Sequence, residues 1–216
     1  MRDGAVVAAE SRAQRHGHAE ALFPMIERVM EEAGLAPVQL DAVAAAIGPG
    51  GFTGIRVGLA AAHGIALAVG AQLIGISSFA AVAARITDID DSACETLLVA
   101  LDSRRADLYV QLFGRDAAAP LAAPRALLPD HLGDYVARVT VGRLLIAGDA
   151  AEAAAAALHG RVPCVIAADS APDAQGVAAA ALVELRSGTM AGPVRPLYLR
   201  PPDVTLPKRP LPASLA

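Results

Sequence analysis

Gly48-Pro49-Gly50-Gly51-Phe52-Thr53-Gly54-Ile55-Arg56-Val57-Gly58 joins a short apolar run to a helical one through a glycine-rich loop. Such a joint aims backbone N–H groups and the positive end of a helix dipole at one point, which suits a phosphate or carboxylate. Thr53 would act there as hydroxyl donor or N-cap, and Arg56 as counter-charge. The Lys-Ser/Thr ending of a P-loop is absent, and the glycine spacing does not match the dinucleotide fingerprint. The residues alone leave two readings open, an anion cradle and a tight turn whose glycines serve packing. A second charged stretch, Asp102-Ser103-Arg104-Arg105-Ala106-Asp107, reads either as a hairpin turn or as a contact to a partner or nucleotide.

No other side chains read as catalytic or metal-binding. His16 and His18, two residues apart at a helix start, point their rings in divergent directions and suit surface or capping roles. His63, flanked by small residues on a helix, reads as a packed or interface histidine rather than a general base. His131 and His159 carry no signal. Cys94 and Cys164 lie far apart with no second Cys or His at metal-site spacing, and read as reduced thiols.

The elements that must hold these residues follow from periodicity. Residues 5–10 form an apolar run after Arg2-Asp3-Gly4, and Asp-Gly predicts a tight hairpin turn, so a strand is expected at 5–10 and an earlier one before the turn. Leu22, Phe23, Ile26, Val29, Met30 and Ala33 recur at helical spacing over 18–33, closed by Gly34, with a kink expected at Pro24. A buried strand is expected at 41–47 and a helix at 53–69, followed by a strand at 72–76 and a helix at 79–86. The 53–69 helix carries Gly54, Gly58 and Ala62 on one face and Ala60, Gly64 and Ala68 on another, so neighbouring backbones could approach both. Strands at 95–101 and 108–113 flank the charged turn, and an alternation of helices (129–139, 151–158, 174–185) with strands (144–147, 162–167) completes an α/β pattern. The expected organisation is a first lobe at 1–90, a second α/β lobe at 91–192, and an extended Pro-rich tail at 193–216, disordered beyond about residue 205. Arg195, Arg200, Lys208 and Arg209 make that tail locally positive, to dock on a partner or RNA or to stay solvated.

Composition narrows the function classes. With 216 residues, 55% apolar but only 3% aromatic and no Trp, the core must be packed from small residues. A formal charge of -4 gives no overall basic field to grip nucleic acid, so contact with RNA is expected to be indirect. Residues 57–84 carry no formal charge, but they are Ala- and Gly-rich and contain His63, Gly70 and Gln72, which argues against a membrane span. The apolar run near the N-terminus is too short for a signal peptide.

The glycine loop resembles the Gly-Pro-Gly-Ser-Phe-Thr-Gly-Leu-Arg-Ile-Gly signature of the TsaB (YeaZ) family, with Gly51 standing where that family usually has Ser. Residues 60–66, Arg15-His16-Gly17-His18-Ala19-Glu20 with 22–26, Leu101-Asp102-Ser103-Arg104-Arg105 with Leu108-Tyr109, Gly148-Asp149 and 196–202 extend the resemblance over nearly the whole chain. It implies an actin-like ATPase (ASKHA) fold of two RNase-H-like α/β lobes. It also implies a cytoplasmic, non-catalytic subunit that supports N6-threonylcarbamoyladenosine (t6A) modification of tRNA as a heterodimer with the catalytic TsaD, together with the ATPase TsaE. Self-association through first-lobe helices is implied too, and a partner interface is expected at Leu22, Ile26, Val29, Gly58, Ala62, His63 and Ala66. No cofactor is expected on this subunit alone; a nucleotide at the complex interface stays open. The family opens with two strands and an Asp-Thr-Ser loop that have no counterpart before Arg2, so the first lobe is expected to lack its initial strands, about 15 to 20 residues. The alternative is a metal-dependent glycoprotease-like or nucleotide-hydrolysing enzyme of the same fold. Such relatives carry a His-x3-His pair where this chain has Ile76-Ser77-Ser78-Phe79-Ala80-Ala81-Val82, which offers no good metal ligand. A third class, a small-ligand module using the glycine loop, would bind nucleotide in isolation.

Overall fold

Parallel strands need a crossover, and the apolar runs on either side of the Ala- and Gly-rich helix supply the two strands it connects. The computed structural model describes residues 1–12, 17–86, 94–114, 119–139, 142–168, 170–188 and 194–200. Strand β1 (Ala42–Gly48) pairs in parallel with β2 (Gln72–Ser77), from Ala42 opposite Gln72 to Ala46 opposite Ile76, with α2 (Phe52–Val69) between them. α1 (His18–Ala33) precedes them and ends at Gly34, whose φ of 63° closes the helix in the left-handed conformation expected of a C-cap glycine. Pro24 lies inside α1, past its first turn, and the helix runs through it.

The turn at Asp3-Gly4 forms as the dipeptide predicts. Both residues have positive φ, 52° and 87°, and Arg2 and Ala5 exchange backbone hydrogen bonds of 2.9 Å. The expected strand at 5–10 does not: beyond the Arg2–Ala5 bridge no ladder reaches these residues, and an apolar run becomes a strand only where a neighbour supplies hydrogen bonds. They are tied to α1 instead, Arg28 gripping Glu10 through two contacts of 2.6 and 3.0 Å. That guanidinium holds the Glu10 carboxyl below its ordinary range.

The second sheet has the order β5-β4-β3-β6-β7. β3 (Cys94–Asp102) and β4 (Leu108–Gly114) form the hairpin, and β5 (Arg125–Leu127), not anticipated from sequence, adds antiparallel to β4. β6 (Arg143–Ala147) and β7 (Cys164–Ile166) continue in parallel on the other side of β3. Period-two alternation sends Leu98 and Ala100 of β3 to one face and Leu97, Val99 and Leu101 to the other, each face meeting its own core. A strand buried on both faces reads as an unbroken apolar run, here Leu97 to Leu101, which is why the strand expected at 95–101 was legible. The first face is covered by α4 (Leu132–Val136) and α5 (Ala151–Leu158).

The other face meets α3 (Ser78–Ala83), shorter than expected because Ala84 already closes it. Phe79, Val82 and Ala83 of α3 enter the second-lobe core, while Ala81 joins Ile74 and Ile76 of β2. The last helix, α6 (Ala174–Ser187), falls in the span expected for the second lobe, yet its Ala180 and Ala181 pack with Ile74, Ile76 and Ala81 of the first. Sequence order misleads there because the chain returns, and Gly176 permits the approach: a Cβ would run into the Ala81 carbonyl oxygen and lie 3.1 Å from Arg85 Cγ. Arg85 adds a bond of 2.9 Å to Gln175 and an ion pair of 3.3 Å to Asp173. Gly176→Ala is therefore expected to push α6 off α3 and to lower stability by about 1–3 kcal/mol in denaturant unfolding, the usual cost of overpacking against backbone. An unchanged midpoint would show that α6 is not held by this contact.

Candidate functional site

β1 ends in a glycine because no other residue fits. Gly48 has φ 106°, and a Cβ there would lie 2.8 Å from Ile55 Cδ1 and 3.1 Å from the Leu197 carbonyl oxygen. The Gly48–Pro49 peptide is cis, and both residues are buried. Gly50 sits 3.4 Å, as a virtual Cβ, from the same Ile55 methyl. Gly51 is the N-cap of α2, without a side-chain cap, and Ile55 N–H donates to its carbonyl at 3.0 Å. Thr53 is thus inside the helix and exposed, so the expectation of Thr53 as N-cap is corrected: the capping turn falls two residues earlier.

Arg56 is engaged within the chain. Its guanidinium carbon lies 3.7 Å from the Phe52 ring centroid, and its Nε donates to the Tyr198 hydroxyl at 2.9 Å. Phe52 and Tyr198 stack at 5.6 Å with 28° between their planes, both about half exposed. An exposed cation–π contact of this kind contributes on the order of 0.5–1 kcal/mol. The counter-charge that an anion cradle would need is therefore turned to an aromatic pair, and the packing reading of the loop gains.

A groove of about 1400 Å³ runs from α1 and α2 past this loop to the β3–β4 hairpin. The hairpin is built by its own polar groups. Arg104, at φ 60°, donates its N–H to Asp102 Oδ1 at 2.7 Å, and Asp149 Oδ1 accepts from Asp102 N–H at 2.9 Å. The Ser103 hydroxyl lies 2.6 Å from the Asp107 carbonyl and 2.8 Å from its Oδ1. Asp107, only 2% exposed, holds its Oδ2 2.6 Å from Arg200 Nη2, an ion pair outside hydrogen-bond alignment. Gly148 lies beside the hairpin at φ 110°, where a Cβ would strike the Ala100 carbonyl.

The expected interface residues separate. Leu22 and Ile26 are half-buried and line the groove, with Val29 half-buried on the same helix. Gly58 also lines it, with nothing within 4 Å of a virtual Cβ, as at Gly54. His63 is exposed. Ala62 and Ala66 are buried at 6% each, Ala62 packing with Ala45 and Leu59, so these two face inward in this chain. The outward side of α2 runs through Ala60, His63, Gly64, Leu67 and Ala68, with Leu67 87% exposed. Leu67 was missed because apolar residues on an apolar helix give no period, and Phe23 because its place in the periodic set of α1 implied burial although it is half-exposed. By length and composition alone α2 could cross a membrane; here Leu59, Ala61, Ala62 and Ala66 bury one side of it.

Ser77 caps α3 by accepting from Ala80 N–H at 3.0 Å, and Ser78 and Phe79 are buried. Among the described residues no three His, Cys, Asp or Glu side chains gather to hold a metal. Neither cysteine is in a disulfide, and burial pushes the Cys164 thiol up, away from a reactive thiolate. His16 and the tail beyond Arg200 lie outside the described residues.

Residues 7–120, more than half of the chain, match the family model described as TsaD: tRNA N6-adenosine threonylcarbamoyltransferase. The chain belongs to that family. Within it the likeness is to TsaB/YeaZ. A TsaB, the tRNA threonylcarbamoyladenosine biosynthesis protein of Haemophilus influenzae, is 35% identical over 92 residues, 43% of this chain and 38% of its own. A tRNA N6-adenosine threonylcarbamoyltransferase of Erythrobacter litoralis is 49% identical over 73 residues, 33% of this chain and 21% of its own. The chain thus spans well under half the length of these two relatives. YeaZ from Pseudomonas aeruginosa superposes with a TM-score of 0.67 at 25% identity, over 84% of each chain. The TsaB/YeaZ-like chain has the mixed α/β, actin-like (ASKHA) fold, its second sheet in RNase-H-like order and its first sheet holding two strands among the described residues.

Two glycines of the loop should respond oppositely to substitution. Gly48→Ala places a Cβ against Ile55 and Leu197 at positive φ, with an expected loss of about 1–3 kcal/mol. Gly51→Ser, at φ -59° with open space around it, should gain about 0.5–1 kcal/mol through reduced unfolded-state entropy and a new N-cap. Thermal unfolding of both variants checks the pair.

Proposed function

We propose that this chain is a non-catalytic partner subunit in the t6A modification of tRNA, acting in the cytoplasm by pairing its α1–α2 side with the catalytic subunit TsaD. The observation that carries this is α2: an uncharged helix, apart from Arg56, whose sheet covers one side while Leu67 and a row of small residues stand open on the other. A face of that kind gains by burial against a second protein, at roughly 25 cal/mol for each Å² of apolar surface removed from water. Family membership and the likeness to TsaB and YeaZ support the process, and TsaD is the partner that this reading assigns. TsaE joins the assembly in this reading, tRNA is reached through TsaD, and a nucleotide, where one is used, sits between the subunits. A homodimer through the same face is the state of the chain without its partner.

The catalytic reading draws on the transferase description of the matched family, but Ser77, Ser78 and Phe79 are committed to capping and core where metal ligands would be needed. ATP turnover by the chain alone, absent on the partner-subunit reading, discriminates the two.

Leu67→Asp falls on the outward side of α2, where Leu67 is 87% exposed, and Gly58→Leu adds its Cβ on the groove side with nothing within 4 Å, so both should leave thermal unfolding within about 1 kcal/mol of the parent. Each should weaken co-purification with TsaD by tenfold or more, on the order of 1.4 kcal/mol. Retention of full association by both folded variants would sink the proposal. Ala62→Leu, by contrast, is expected to destabilise the lobe itself.

A further inference from the structure

Seven residues from Val194 to Arg200 touch both lobes in turn. Val194 packs against the first-lobe core of Ala45, Leu59 and Ala62, and its Cγ1 is 2.9 Å from where a Gly75 Cβ would be. Leu197 N–H donates to the Ile47 carbonyl at 2.8 Å, at the end of β1. Tyr198 stacks on Phe52 and accepts from Arg56. The next residue, Leu199, packs against the second-lobe core of Leu97, Val99 and Leu101, and Arg200 reaches the buried Asp107 carboxylate at 2.6 Å.

We infer that residues 194–200 are an interlobe strap that couples the glycine loop to the Asp102–Asp107 hairpin, so that seating or release of the strap at one is transmitted to the other. Three observations carry it. The Asp107 carboxylate has a hydroxyl, that of Ser103, on Oδ1 and the Arg200 cation beside Oδ2; a carboxylate 2% exposed is costly without a cation, so the strap end is held by electrostatic need. Pro196 restricts its own φ, which lowers the entropy lost when the strap seats and Leu197 N–H bonds the end of β1. The linkage is short: its two anchors on Ile47 and Asp107 are three residues apart in the strap, at most about 10 Å of backbone. Release at one lobe must therefore be felt at the other.

Hydrogen exchange on the full chain tests this with Arg200→Gln and Tyr198→Phe. Arg200→Gln breaks a contact made only in the second lobe; the expected result is exchange about tenfold faster in 47–58 of the first lobe as well as in 102–107. Tyr198→Phe keeps the ring stack and removes only the hydroxyl that Arg56 bonds; a smaller acceleration is expected in 47–58 and, through the strap, in 102–107. Acceleration confined in each variant to the lobe it touches would overturn the inference. If Arg200→Gln unfolds globally, Tyr198→Phe decides alone: faster exchange at 102–107 supports the strap, and an unchanged hairpin overturns it.

Discussion

Both lobes lean on one helix of six residues. α3 has Ser78, Phe79, Ala81, Val82 and Ala83 buried, and it divides them: Phe79, Val82 and Ala83 to the second sheet, Ala81 to β2 and α6. A helix apolar all round is stable only when enclosed, so the two sheets are obliged to sit on opposite sides of it. The groove past the glycine loop, the return of α6 to the first lobe and the span of residues 194–200 all follow from that spacing. Gly176 matters for the same reason, since α6 can close over α3 only where backbone meets backbone.

The two lobes are unequal in what encloses them. The second has five strands with a core on each face, built on large side chains such as Leu98, Leu112, Leu144, Ile146 and Leu158. The first has two strands among the described residues and two smaller clusters in which alanine predominates, Ala45, Leu59 and Ala62 on one side and Ala81, Ala180 and Ala181 around Ile74 and Ile76 on the other. Alanine contributes little apolar area, so a lobe packed on it gains less from burial than its length suggests. The outer edge of β1 carries no strand among the described residues, and grooves of about 960 and 1400 Å³ meet along Ala42, Ala44 and Ala46. Unpaired strand groups beside apolar surface favour association over isolation.

Much of this fold was legible because its elements carry unambiguous signals. Leu22, Ile26, Met30 and Gly34 mark α1 to the residue, Asp3-Gly4 marks a tight turn, and the unbroken apolar run of β3 marks a doubly buried strand. β5 was not legible, since three residues pairing with β4 have no period of their own. Nor was the inward direction of Ala62 and Ala66 readable, because a helix made of Ala, Gly and Leu looks alike on every side until a sheet chooses one. The role of Arg200 was hidden for a different reason. Its partner Asp107 lies 93 positions away, and no spacing rule connects a tail arginine with the last residue of a hairpin turn.

Recognition of the glycine loop by its residues was sound, but its chemistry depends on neighbours that the motif does not contain. Thr53 and Arg56 look available as donor and counter-charge on paper; in the fold the N-cap is Gly51 and the guanidinium rests on Phe52 beside Tyr198. The dipole of α2 is still present, yet a bare helix terminus without a directed cation is a weak site. What the loop does supply is position. Gly48 lets β1 turn under Ile55 and Leu197 with no side chain in the way, and α2 leaves that turn with its uncovered side facing outward. The constraint at Gly48 thereby fixes the direction of the apolar surface that a partner would cover.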